Sequence, residues 1–494
     1  MDYDFHYYAT KMAAHVAGWT NDEAETIAKA ALFVDYCDYY YFGYDIHYKG
    51  RHTGTTVLTS QYNHAHVPHW NEDVAEGNED LEAMFESSDD SIWVPFHFLP
   101  GNFTHGDYPP YSLEFRADGW VPQYAHHQTR NTPEDLDRKE FMTRPFSPSV
   151  KFMLDDLHNS FHRYHAVNPL TALSLAGIRM HTFVDTWAHQ DFSGFNQKSI
   201  NDVGGELYRV FNDGDGFRQE AIDIDAITKD GDFKAAPGGT GSYTGHGMLG
   251  HIPDFGWFNF KYQPYWEKQD KAFHTRNNIE AFKQAFVFMA AELYKLRTRQ
   301  EVTSVFIIEE DMYVDPFNLS RLPNEHRLDI SQGVFNILES QKQLSSDENN
   351  NAFDQSATQW QQLFERQGLP YTRRDASVNW EKELILEFAE DIRTTETNER
   401  VVQVGMLDGQ VESRMSLFRS RRPMVTIKPG SPFEAFQEAA AHHLSVALYG
   451  VRKMFGLDYG YEDIAQAYSA KSSLIFREEA GGKYSSLHQH HETA

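Results

Sequence analysis

The chain has a single cysteine, Cys37, among 494 residues. No intramolecular disulfide can form, so nothing in its cysteine usage points to an oxidising compartment. It is also poor in basic residues: 44 Lys and Arg stand against 72 Asp and Glu, a formal net charge of −28. A field of that sign repels phosphate backbones and anionic membranes. No specific nucleic-acid partner is expected, while peripheral contact with a neutral or zwitterionic lipid surface stays open. No run of about 18 apolar residues occurs, so no transmembrane helix is expected. The opening MDYDFHYYAT has neither the basic stretch nor the apolar run of a secretory signal. The expectation is a cytoplasmic protein, with export by a signal-less route left open. Also missing are a G-x-S-x-G elbow, a P-loop, an HExxH helix and an adjacent His-Asp dyad.

What is present is core-forming material: 40% hydrophobic and 14% aromatic residues. At roughly 150 residues per domain, the length suggests a main domain over 1–300 and a mainly helical C-terminal extension over 301–494, of unknown role. Helical patterns dominate. The first is expected from about Tyr8 to Trp19. The second opens with the capping box Thr20–Glu23 and puts Ala28, Leu32 and Asp35 on one apolar face. The next begins after Ser147-Pro148. From Pro169 to Val184 the only charged side chain, His181 apart, is Arg179, the mark of a helix buried all round. Further helices are expected over 278–296, 378–394 and 431–455, the last with Ser431, Pro432 and Glu434 as start signals. Residues 43–132 read as irregular, with a short strand in GTTVLTSQY. The Gly- and Asp-rich stretch 201–250 reads as loop, with a mobile run over 229–245, and SSDENNN at 345–351 as a linker. The fold class is predominantly all-α: a multi-helix metal-centred bundle with long irregular loops.

Among the 25 histidines, three groups on one helix carry the chemistry. His181, Asp185 and His189 are spaced four apart, so all three project from one side. Two imidazoles and a carboxylate on a buried helix suit zinc; a hydrogen-bonded polar cluster fits the same spacing. Asp35 lies on an apolar face, where a bare charge is costly, and either a metal or a core arginine such as Arg179 satisfies it. His6 near the start and His97 in IWVPFHFLPGN read alone as an exposed and a core histidine. His64, His66, His69, His126 and His127 read as solvated loop histidines.

The order of these motifs resembles the zinc-dependent phospholipase C family and its relatives, the single-strand-specific zinc nucleases. The resemblance runs over roughly residues 1–300 through His6, Asp35 in AALFVDY, His97 in PFHFLPGN, His181 and Asp185 in MHTFVDT, and His189. GHGMLGHIPD supplies His246 and Asp254 for a last pair, with His251 competing with His246. The chain is also similar to a group of bacterial proteins of unassigned function that share the DFHYY and DTWAHQ segments. The resemblance implies an all-α fold holding two to three zinc ions, with Asp185 bridging two of them and Asp35 binding metal and taking a proton from the attacking water. It implies hydrolysis of a phosphodiester or phospholipid head group; the alternatives are a nuclease or nucleotidase on the same site, or a noncatalytic metal-stabilised binding protein. Phe5, Trp93, Phe96 and Trp187 are candidates to contact an apolar or quaternary ammonium group, or are core. Three departures stand out. The family uses a processed N-terminal amine as a ligand; here either Asp4 substitutes for it or that ligand is missing. His189 comes four residues past Asp185 rather than six. The last pair is not His-x-x-x-Glu.

Overall fold

The structure is a computed structural model that describes residues 1–37, 45–48, 51–55, 59–60, 90–101, 141–195, 198–212, 217–222, 244–264, 273–299, 326–341, 351–372, 391–393, 424–427 and 430–454. Helix takes 69% of the described residues and strand 10%, so the fold is predominantly all-α. A wide turn over Asp4–Ala9, closed by Thr10 N–H on the Phe5 carbonyl, runs straight into α1 (Thr10–Val16). The helical path thus starts and stops a few residues earlier than the expected 8–19. α2 (Asn21–Tyr36) carries the capping box: Thr20 accepts the Glu23 N–H and Glu23 accepts the Thr20 N–H. After α3 (Asp90–Phe96), α4 (Pro148–Val167) starts at the Ser147 cap and α5 (Pro169–Ala188) at the Asn168 cap, each with proline in its first turn. α6 (Asn278–Thr298) is followed by α7 (His326–Ser340), α8 (Asn351–Gln367) and α9 (Pro432–Met454). At α9 the Ser431 hydroxyl takes the Glu434 N–H, and the Glu434 carboxylate takes the Gly430 N–H.

Two four-stranded sheets are more strand than the pattern led one to expect. β1 (Asp45–Tyr48), β2 (Arg51–Thr55), β7 (Asp391–Arg393) and β8 (Met424–Ile427) form one in the order β2-β1-β8-β7, with β1 and β8 parallel. β3 (Val203–Asn212), β4 (Phe217–Ile222), β5 (Phe260–Pro264) and β6 (His274–Arg276) form an antiparallel sheet in the order β4-β3-β5-β6. Part of 201–250 is therefore a hairpin, not loop: Phe217 pairs with Asn212 across a short connection rich in Asp and Gly. Residues 391–393, the end of the expected helix 378–394, are strand; the rest of that helix lies outside the described residues. The strand expected in GTTVLTSQY overlaps β2 at Gly54 and Thr55; Thr59 and Ser60 are not strand, and the rest of that segment lies outside the described residues. The run 229–245 is described only at 244–245, and the linker 345–351 only at Asn351; the five loop histidines lie outside the described residues.

α5 is the axis of the bundle. Every residue from Thr171 to Ala188 is buried, because α2, α4, α6 and α9 surround it. One core cluster runs from Met1 through α1, α2, α4, α5 and α6 to Trp360 of α8 and Val451 of α9. Residues past 325 thus share the core of the metal-candidate helices. A second cluster, with Phe98, Leu249, Trp257 and Tyr262, lies under the antiparallel sheet. α5 touches α2 at Gly177, where an added Cβ would sit 2.3 Å from the Ile27 carbonyl oxygen and 2.7 Å from Ala30 Cβ. That close approach lets Asp35, two turns on, reach the face of α5 that carries His181 and Asp185. Gly177→Val forces backbone apart rather than a flexible side chain. The expected cost is about 3 kcal/mol, measured by thermal or denaturant unfolding; a variant as stable as wild type would contradict this packing.

Candidate metal centre

The C-terminal half of α5 presents His181, Asp185 and His189. His181 Nε2 lies 3.1 Å from Asp185 Oδ2. From the wide turn, His6 Nε2 comes within 3.1 Å of Asp185 Oδ1, and its ring stacks on that of His181 at 3.8 Å. From the end of α3, His97 Nδ1 lies 3.2 Å from Asp185 Oδ2 and 3.2 Å from His181 Nε2. From the end of α2, Asp35 comes within 3.6 Å of His181, 3.8 Å of His6 and 3.9 Å of His97. The last pair arrives on two short helical turns: Asp254 carboxyl oxygens lie 3.0 Å from His189 Nε2 and 3.2 Å from His246 Nε2. Three groups result, each able to hold a cation: His6, His181 and Asp185; Asp35, His97 and His181; His189, His246 and Asp254.

Local structure explains why these side chains stay in place. Arg276 donates to the Trp187, Ala188 and Gln190 carbonyls, where α5 has run out of its own donors. That fixes the turn from which His189 projects. Thr59 closes the end of α2, its hydroxyl donating to the Val34 carbonyl at 2.7 Å and its N–H to that of Cys37 at 2.9 Å. Its own carbonyl then takes the His97 Nε2–H at 2.7 Å. Gly245, at φ 57°, lies against the Phe98 ring, 2.3 Å from where a Cβ would stand. Phe98 in turn stacks on His189 at 4.2 Å.

The donor set fits zinc. In three imidazoles one nitrogen donates to a backbone carbonyl and the other faces the cluster: His97 to Thr59, His189 to His97 at 2.8 Å, and His246 to Gly250 at 2.7 Å. Metal-ligating histidines are held this way, with the tautomer set by the second bond. Among the described residues, the fully buried His6 and His181 each have no hydrogen-bond partner at Nδ1, and unpaired buried nitrogens call for an explanation. Burial lowers His6 to about 4 and holds His181 well below the usual imidazole range, so both are neutral imidazoles near pH 7. Burial and the neighbouring Asp185 carboxylate push Asp35 well above the carboxylate range. For Asp254, burial acts in the same direction, but His246 and the Met1 amine outweigh it and hold the group well below.

Eight of the nine ligand candidates read from the sequence come together, all except His251. That residue stays at the rim, its Nδ1 3.9 Å from both Asp2 and Asp254, so His246 takes the place for which the two competed. Asp4 does not substitute for an amine ligand: its carboxylate accepts the Phe5 N–H and the Ser356 hydroxyl and belongs to the contact with α8. The α-amino group of Met1 forms ion pairs with these carboxylates, 2.5 Å from Asp185 and 3.1 Å from Asp254. Burial favours its neutral form, yet Asp185, Asp254 and Asp35 together raise it to about 11. Arg179 is not the partner of Asp35; it bonds Asp156 at 2.6 Å. Of the aromatic candidates, Phe5, Phe96 and Trp187 are core, and Trp93 is half-buried with its ring 5.2 Å from that of His97. Thr59 carries no signal in the sequence because it holds His97 through its main-chain carbonyl, which no residue type announces.

Fold and site define a helical protein with a histidine–carboxylate centre built on one buried helix. The chain belongs to a family described as a family of unknown function (DUF6765), whose profile matches residues 1–451. No curated protein and no solved structure matches it.

Proposed function

We propose that the chain is a metal-dependent phosphodiester hydrolase of phospholipase C-like type, with two to three zinc ions held by His6, Asp35, His97, His181, Asp185, His189, His246 and Asp254. One observation carries this reading: five imidazoles and three carboxylates converge in three groups, two of which share His181. Zinc bound there would supply Lewis acidity toward phosphoryl oxygens and water. Asp185, with a side chain only 1% exposed, turns one oxygen to His6 and the other to His97, which supports a bridging role for its carboxylate. The Asp35 side chain is 31% exposed, against 14% for His246 and 10% for Asp254. Asp35 is therefore the ligand candidate that meets incoming water and substrate, and its carboxylate takes the proton from the attacking water. Trp93, beside His97, offers a half-buried face, suited to an apolar or quaternary ammonium group. The charge of −28 favours small neutral-headed or zwitterionic phosphodiesters over anionic polymers. Among the described residues no helix is long and apolar enough to cross a membrane, so a lipid substrate would be met at its head group.

The test offers zinc-loaded protein a chromogenic phosphocholine ester, single-stranded nucleic acid and a nucleoside monophosphate side by side. Chelator-sensitive turnover of the ester alone is expected. Preference for nucleic acid would make the protein a nuclease. No turnover of any of the three by metal-replete protein would leave a metal-stabilised binding protein.

A further inference from the structure

α9 lies more than 240 residues beyond α5 in the chain, yet it packs on α5, α4 and α3 together. Two successive histidines make the polar contacts. Neighbours on a helix point about 100° apart, so one helix can fasten two elements. His442 Nε2 lies 3.1 Å from the Asp156 carboxylate of α4, and Asp156 bonds Arg179 of α5. His443, fully buried, turns the other way. Its Nε2 donates to the Pro95 carbonyl at 2.7 Å and lies 3.4 Å from the Thr182 hydroxyl, while its ring packs on Phe96 at 4.8 Å.

Pro95 and Thr182 are not arbitrary neighbours. Pro95 stands two residues before His97, in the last turn of α3, where a helix carbonyl has no partner within the helix. The His97 N–H bonds the Trp93 carbonyl at 3.1 Å, so that turn is held by two carbonyls, one of them by His443. Thr182 directly follows His181. One imidazole from the far end of the chain therefore spans the two segments that carry His97 and His181, the pair that shares a candidate cation group with Asp35. Burial, with Arg179 nearby, lowers His443 to about 3, so it stays a neutral imidazole.

We propose that His443 is a positioning residue for the metal centre: by bonding the Pro95 carbonyl it sets where His97 meets Asp35 and His181. The inference rests on the reading of these residues as metal ligands. It gives the C-terminal helix a role in the centre without placing any of its atoms on a metal.

The test compares His443→Leu, which keeps volume and loses the donor, with His443→Gln, whose amide nitrogen stands close to the position of Nε2. Full-length protein is loaded with zinc or cobalt(II). Affinity is read by chelator competition, ligand geometry by the visible absorption of the cobalt form, and folding by far-UV circular dichroism. In His443→Leu one ion is expected to bind roughly 10–100-fold more weakly, the range for loss of an outer-shell partner, with a shifted cobalt band and the other ions retained. His443→Gln is expected to restore both. If the leucine variant fails to fold, His443→Asn, too short to reach Pro95, takes its place against the glutamine. Unchanged affinity and cobalt spectrum, even with lowered thermal stability, would overturn the proposal, as would equal weakening of every ion or failure of glutamine to rescue. A metal-replete protein that hydrolyses no phosphodiester would remove the enzymatic reading and leave this one standing; a wild-type chain that binds no metal would remove both.

Discussion

Asp185→Asn is expected to empty at least one metal group and to lower stability by about 3–5 kcal/mol, the usual cost of removing one partner from a buried charge cluster. Asp185 is the hub: the Met1 amine, His6, His97 and His181 all lie within 3.2 Å of its two oxygens. Burial alone would raise its pKa, but His189 and the Met1 amine outweigh burial and hold its carboxyl well below the usual range. Asparagine keeps the shape and one acceptor but loses the charge and the capacity to bridge. Metal content by mass spectrometry and unfolding by denaturant read the two effects separately. A variant with wild-type metal content would show that Asp185 is not the bridge.

Asp156→Asn is expected to destabilise the fold by a similar margin while acting far less on metal content. Arg179 is fully buried on α5, and its guanidinium bonds the Asp156 carboxylate and the Met153 carbonyl. Asparagine leaves that cation without its counter-charge, at a cost of about 3–5 kcal/mol. The pH dependence has a definite sign. Burial opposes ionisation of Asp156, but Arg179 and then His442 outweigh it and depress its pKa. A depressed carboxylate contributes stability that is present above the unfolded value of 3.8 and is lost as pH falls through the folded one. The gap between wild type and variant should therefore be widest near pH 7 and narrow below about pH 4. A gap that does not change with pH would mean that the pair contributes by packing rather than by charge.

Features written in local chemistry were legible before the structure. The Thr20–Glu23 box starts α2, Ser147-Pro148 starts α4, and the unbroken apolar run of α5 marks the axis of the bundle. The four-residue spacing of His181, Asp185 and His189 puts them on one side of that helix. Features decided by tertiary pairing were not legible. β3 and β4 hide in a stretch whose glycines and aspartates read as loop, because only their pairing with each other and with the distant β5 turns it into sheet. Asp35 and Arg179 look like a natural pair on adjacent helices, yet helix packing gives Arg179 to Asp156 and leaves Asp35 facing imidazoles. His443 carries no local signal; its meaning lies in a carbonyl almost 350 residues upstream.

The central claim is that these histidines and carboxylates hold metal. It is tested most directly by elemental analysis of protein purified without added metal and without a metal-affinity step. Two to three zinc ions per chain are expected, with a fall in the unfolding temperature when a strong chelator removes them, because a ligand bound only by the folded state stabilises it. Protein that contains no transition metal, takes up none from stoichiometric zinc and unfolds at the same temperature with and without chelator would contradict the claim.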